Sequence, residues 1–166
     1  MTKIKNNPKN TDNEVVNGLR SAIEHRATWM GLMMDEAKKE GADAESFTRK
    51  AIIKCGNFHG EGIQDRQVGE GLPNFEKTFI PENTKKIFEM DVKECDEDKL
   101  EIEFNYCPLV AAWLKQGFSD EEIDLMCDCA MDGDRGIAKA CGYDFKLGKT
   151  IAKGDDVCEV NFYKKK

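Results

Sequence analysis

The stretch Lys99-Leu100-Glu101-Ile102-Glu103-Phe104-Asn105-Tyr106-Cys107-Pro108-Leu109-Val110-Ala111-Ala112-Trp113 decides the fold. Leu100, Ile102, Phe104 and Tyr106 alternate with polar residues, the period of a strand with one buried face. Pro108 then opens an apolar run of helical character. Proline suits the first helical position because its missing N–H would have no partner there. Cys107 therefore stands at or next to the N-cap, where the positive end of the helix favours a thiolate. That marks it as a candidate reactive cysteine. A small, inert residue at a strand-to-helix corner fits the same position.

Upstream, Phe88, Met90 and Val92 alternate, and Asp96–Asp98 supply the turn of a hairpin with Leu100–Tyr106. Downstream, Tyr143, Phe145 and Leu147 alternate, as do Cys158, Val160 and Phe162, with Gly154, Asp155 and Asp156 near the turn. The remaining segments read as helices. Val15, Leu19, Ala22, Ile23, Met30, Met33 and Ala37 predict an amphipathic helix from Asn13 to about Lys39, stopped by Gly41. A second helix is expected from Asp43 to Cys55, burying Phe47, Ala51, Ile52 and Cys55. Gly56 to Gly71, with five glycines and His59, reads as a loop of functional type. A helical turn follows around Phe75–Phe79. After Pro108, a short helix ends near Gly117, and Ser119 with Glu122 forms a capping box for a longer one. The pattern is α+β: a four-stranded antiparallel sheet of two hairpins, packed on one face by helices.

The chain has 166 residues, enough for one domain with a core. Residues 1–13 carry four asparagines and Pro8 without apolar periodicity, so a disordered leader is expected, with a single domain over 14–166. The leader has neither the apolar core of a signal peptide nor the arginines of a transit peptide. No run nears the roughly 18 apolar residues of a membrane span, so no membrane partner is expected. A net charge of −7 argues against a nucleic-acid partner, since proteins that bind its backbone usually show a basic stripe. The basic cluster Lys164–Lys166 reads as a solubilising tail. Seven cysteines, an odd number, without an export signal point to a reducing cytoplasm and free thiols.

Two charges interrupt apolar stripes. Asp134 falls in line with Ile123, Cys127, Ala130, Ile137 and Cys141, where a lone buried carboxylate is expensive unless paired or used. The alternative is that Gly133 and Gly136 break the helix and let Asp134 cap a new one in solvent. Arg26 falls between Ala22 and Met30, and an inward arginine needs a carboxylate: Asp134, Asp128 or that of a ligand. A snorkelling arginine at the stripe's edge is the other reading. Of the two histidines, His59 is the better acid–base candidate. Metal binding lacks ligand spacing. Cys127 and Cys129 project roughly 200° apart on a helix. A set of Cys55, His59, Cys107 and Cys158 is conceivable but has no supporting spacing, so no metal and no cofactor are expected.

The stretches His25–Trp29, Arg49–Gly60, Phe104–Val110 and Thr150–Cys158 resemble the L-2-amino-thiazoline-4-carboxylic acid hydrolase family. The resemblance extends over about residues 14 to 163. It implies hydrolytic opening of a cyclic amidine, converting 2-amino-thiazoline-4-carboxylate to N-carbamoyl-cysteine. Its architecture is also similar to small-molecule-binding modules of the vinyl-reductase and haem-nitric-oxide sensor type, which implies a non-catalytic alternative. Such a reaction needs a nucleophile, either a thiolate or a water activated by a carboxylate without Cys107, together with a base and a carboxylate anchor. Cys107 suits the first role, Asp134 or His59 the second, and Arg26 the third. Asn105 and Cys158, within the resembling stretches, are further candidate substrate contacts. Expected partners are a small-molecule substrate and, through the sheet edge or the methionines Met30, Met33 and Met34, a second copy of the chain.

Overall fold

Leu100–Phe104 forms the strand its alternation predicts, and its register builds the sheet. In the computed structural model, which describes residues 2–165, β1 (Met90–Cys95) and β2 (Lys99–Phe104) make one hairpin. The other is β3 (Tyr143–Leu147) with β4 (Cys158–Lys164), joined through a 3-10 turn at Ile151–Lys153. All pairings are antiparallel in the order β1-β2-β4-β3. Leu100 faces Phe162 and Ile102 faces Val160 across the central pair, and all four are buried. Glu101 and Glu103 point to the wet face between them. The outer strand is less buried than its alternation suggests: Val92 is exposed, and a bulge follows it.

Helices α1 (Glu14–Lys39), α2 (Ala44–Arg66), α3 (Leu72–Phe79) and α4 (Glu82–Phe88) precede the sheet. Helices α5 (Pro108–Lys115), α6 (Asp120–Ala130) and α7 (Asp132–Cys141) separate its hairpins. The fold is α+β. Helix α3 lays Phe75 against Phe162, with ring centroids 5.1 Å apart, and against Tyr143 at 5.0 Å. Full burial of a phenylalanine contributes about 1.5–3 kcal/mol, which makes this cluster a large share of the core. The start of α1 is capped by Asn13, which accepts from the Val16 N–H at 3.0 Å, and the Ser119–Glu122 capping box is formed at α6.

The buried face of α1 differs from the expected stripe. Val16, Arg20, Ala27, Gly31 and Met34 are buried, while Val15, Leu19, Ala22 and Met33 are exposed. The inward arginine of α1 is Arg20. It donates to Ile87 O (2.9 Å), Lys86 O (3.1 Å), Asn10 O (2.6 Å) and the Glu89 carboxylate (3.0 Å). A buried guanidinium is tolerable because its donors are so completely used.

The loop expected from Gly56 is helix as far as Arg66. Glycine weakens an isolated helix, but here packing overrides propensity. A Cβ at Gly56 would lie 2.1 Å from Gly133 O, and one at Gly60 would lie 2.6 Å from the Ala140 Cβ. The glycines let α2 and α7 touch backbone to backbone. They also turn the expected inner face of α2 outward, leaving Phe47, Ala51 and Cys55 exposed.

The leader, expected to be frayed, is tied down. Asn6 donates to Cys107 O (2.8 Å) and accepts from Cys107 N (2.9 Å), and the Lys9 and Asn10 amides donate to Glu89. Of the basic tail, Lys164 ends β4 and donates its backbone N–H to Asp98 O. Met1 and Lys166 lie outside the described residues. Among the described residues no helix is long and apolar enough to cross a membrane.

Substituting Gly56→Ala forces α2 and α7 apart and is expected to destabilise by about 1–3 kcal/mol. Gly18→Ala, on α1 with nothing within 4 Å of the added carbon, is expected to stabilise by about 0.5–1 kcal/mol. Urea unfolding midpoints check both, and equal effects at the two positions would contradict the packing account.

Candidate functional site

The strand-to-helix corner at Cys107 opens onto a cavity of about 210 Å³ between the sheet and the helices. Its floor is apolar: Trp113, fixed by donating to Ala27 O at 2.9 Å, with Phe104 and Val160 from the sheet and Phe79, Ile80 and Phe88 from α3, its C-cap and α4. Its polar or thiol groups are Arg26, Thr84, Cys107, Cys127, Asp134 and Cys158. Four of the six residues singled out from the sequence, Arg26, Cys107, Asp134 and Cys158, thus share one cavity.

The other two lie elsewhere. His59 is exposed on α2, its ring beside that of Phe58, because the segment is helix rather than a loop folded over a site. Asn105 turns outward and donates to Glu89 O (2.8 Å) and the Asp91 carboxylate (3.0 Å), which ties the ends of β1 and β2. The conceivable set of Cys55, His59, Cys107 and Cys158 does not assemble, since the first two are in solvent on α2. Among the described residues no three His, Cys, Asp or Glu groups are placed to hold a metal ion.

Helix α6 ends at Ala130, and Asp134 occupies the first turn of a new helix, α7. The break falls at Met131, ahead of Gly133 and Gly136, which lie inside α7, and Asp134 faces the cavity rather than capping a helix in solvent. Burial pushes its carboxyl up to about 6, against the pull of its own backbone amide and of the Arg135 and Arg26 guanidiniums. It has no ion-pair partner within 4 Å among the described residues, and neither has Arg26. Asp128, one expected partner of Arg26, is taken by Arg49 (2.7 Å) and Arg135 (2.6 Å), which also share Asp132. Arg26 is largely exposed, with part of its surface in the cavity wall.

Cys107 is the N-cap of α5, but the helix terminus does not decide its acidity. Burial pushes the thiol up. The Val110 and Leu109 amides and the Arg26 charge only partly offset this, and the Asp134 carboxylate adds to it. The cost of taking a thiolate out of water exceeds the N-terminal stabilisation. Cys158 accepts from the Ile151 N–H at 3.3 Å and is pushed up to about 12, chiefly by burial. Cys127 is raised by burial as well. All seven cysteines are free.

Thr84 was missed from the sequence because α4 was missed. Its signal was Pro81 followed by Glu82, a proline and an acid at a helix start.

A family model, L-2-amino-thiazoline-4-carboxylic acid hydrolase, matches residues 20–162. The chain belongs to this hydrolase family. The matched region contains every residue of the cavity wall. Among curated proteins no match is found.

The reactive-thiol expectation changes accordingly. Brief substoichiometric alkylation of the folded protein, read by mass spectrometry, is expected to label exposed Cys55 first and to leave Cys107, Cys127 and Cys158 protected. First labelling at Cys107 would show that the helix terminus outweighs burial.

Proposed function

We propose that this member of the amino-thiazoline carboxylate hydrolase family opens a small cyclic amidine that carries a carboxylate, with Asp134 as base and Arg26 as anchor. The observation that supports it most is the juxtaposition of an unpaired guanidinium and an unpaired carboxylate on one small, otherwise apolar cavity. Unpaired opposite charges of this kind are complementary to a ligand with an anionic end and a hydrolysable centre.

Asp134 takes a proton from water as the water oxygen bonds to the ring carbon held between nitrogen and sulfur. Asp134 passes that proton to the amidine nitrogen, the ring C–S bond breaks, and sulfur leaves with the second proton of the water as the water oxygen becomes the carbonyl of the opened product. For 2-amino-thiazoline-4-carboxylate that product is N-carbamoyl-cysteine. A carboxyl titrating near 6 suits this work, since at neutral pH it is ionised and yet more basic than a solvated aspartate. Cys107 is the weaker nucleophile because burial keeps its thiol protonated. It and Cys158 line the wall beside the ring. The cytoplasm, where free thiols persist, is the proposed compartment.

The apolar floor of Trp113, Phe104 and Phe88 supports a second reading, binding without turnover, as in a sensor module. Product formation, followed by mass spectrometry with 2-amino-thiazoline-4-carboxylate, separates the two.

Activity is expected to rise with pH through about 6 and to level off above it, because the base works deprotonated and is lost to protonation below that value. Asp134→Asn is expected to lower kcat by about 10²- to 10⁴-fold with a smaller change in KM. Arg26→Met, which keeps the stem but removes the fork, is expected to raise KM about tenfold or more. Cys107→Ala is expected to cost less than about tenfold. Loss of turnover in Cys107→Ala with Asp134→Asn still active would replace water attack by thiol attack.

A further inference from the structure

Helix α1 is apolar on two faces, and the fold uses one. The other runs Val15, Leu19, Ala22, Arg26, Trp29, Met33, with alternating spacings of four and three residues, the a/d repeat of a helix–helix seam. Every residue of this row is exposed, Trp29 at 61 % and Met33 at 59 %. Helix α2 carries a matching row, Phe47, Ala51, Lys54 and Phe58, spaced four, three and four, and it too is exposed, Phe58 at 73 %. The two rows flank one groove of about 620 Å³, into which Ala22, Trp29, Met33, Phe47 and Ala51 project.

We propose that this face is where two copies of the chain associate, the α1–α2 pairs of both forming a four-helix interface. Neither row is held by packing within the chain, so the heptad spacing has no function in the isolated fold. The positions flanking the α1 row, Gly18, His25 and Leu32 on one side and Val16, Ile23 and Met30 on the other, include no acid or lysine, so two α1 rows meet without like-charge repulsion from their flanks, while Lys54 in the α2 row and Lys50 beside it have stems long enough to carry their charges to solvent. Arg26, the charge within the row, also lines the cavity, which gives its guanidinium a destination away from the partner. Val15, Leu19, Trp29, Met33, Phe47 and Phe58 together expose roughly 700 Å², taking side chains of ordinary size. A standard interface buries about 800 Å² per partner, so the face matches what a stable dimer needs. A short peptide in the groove would leave Val15 and Phe58 uncovered beyond its ends. The inference is independent of the catalytic reading.

The test is the oligomeric state of the full chain by sedimentation velocity, from about 1 to about 200 µM. The expected result is a species of twice the chain mass that dissociates on dilution. Trp29→Glu and Phe47→Asp, both at exposed positions, are expected to weaken it about 30-fold or more while the circular dichroism spectrum is kept. Val68→Asp, 87 % exposed but off both rows, is expected to leave it unchanged. A monomer throughout the range, or a dimer indifferent to Trp29→Glu and Phe47→Asp, would overturn the proposal. A monomer that instead binds another protein through this face would overturn it equally.

Discussion

The backbone contact between α2 and α7 is the constraint on which the site depends. Gly56 on one helix meets Gly133 and Gly136 on the other, Gly60 packs on Ile137 and Ala140, and a Cβ at Gly136 would lie 2.6 Å from Ile53 O. Only glycine allows such an approach, because any side chain would hold the axes further apart. Gly133 and Gly136 lie within about 60° of each other around α7 and face α2. Asp134, about 100° on from Gly133, is thereby turned off the contact and into the cavity. The glycines thus fix where the carboxylate points as well as how the helices pack.

Electrostatic pairing then selects which charges stay available. Asp128 and Asp132 are consumed by Arg49 and Arg135, and Arg20 is consumed by backbone carbonyls and Glu89. Arg26 and Asp134 are left facing the cavity without an ion partner of their own. Breaking a paired, buried charge is costly, whereas a cavity-facing charge keeps its field for a ligand. The same burial that raises the Asp134 carboxyl into a useful range raises Cys107 out of one, since desolvation disfavours both anions and only the carboxylate starts low enough to remain ionised at neutral pH.

The sheet was legible because period-two alternation is set by burial on one face, and Leu100, Ile102, Val160 and Phe162 keep to it. The caps at Asn13 and Ser119 were legible because they are local. What could not be read locally was which face of a helix meets the core. In α1 both faces carry apolar residues, and the choice of Val16, Ala27 and Met34 over Leu19 and Met33 is made by α4 and α5 in three dimensions. The glycines of α2 misread as a loop because their reason lies about 80 residues downstream, on α7. Arg26, Cys107 and Asp134, which share the cavity, stood out in the sequence because each breaks or ends a pattern. His59 and Asn105 were misplaced because each was inferred from a neighbourhood in sequence. Thr84 lay on a helix too short to announce itself by periodicity.

Asp134 is a desolvated carboxylate held in reach of the Arg26 charge. Its carboxyl ¹³C shift, followed by NMR from about pH 3 to about pH 9 in the wild type and in Arg26→Met, tests this directly. A midpoint of about 6 is expected in the wild type, moving higher when the guanidinium is removed. A midpoint near the ordinary aspartate value of about 4 in both proteins would contradict it.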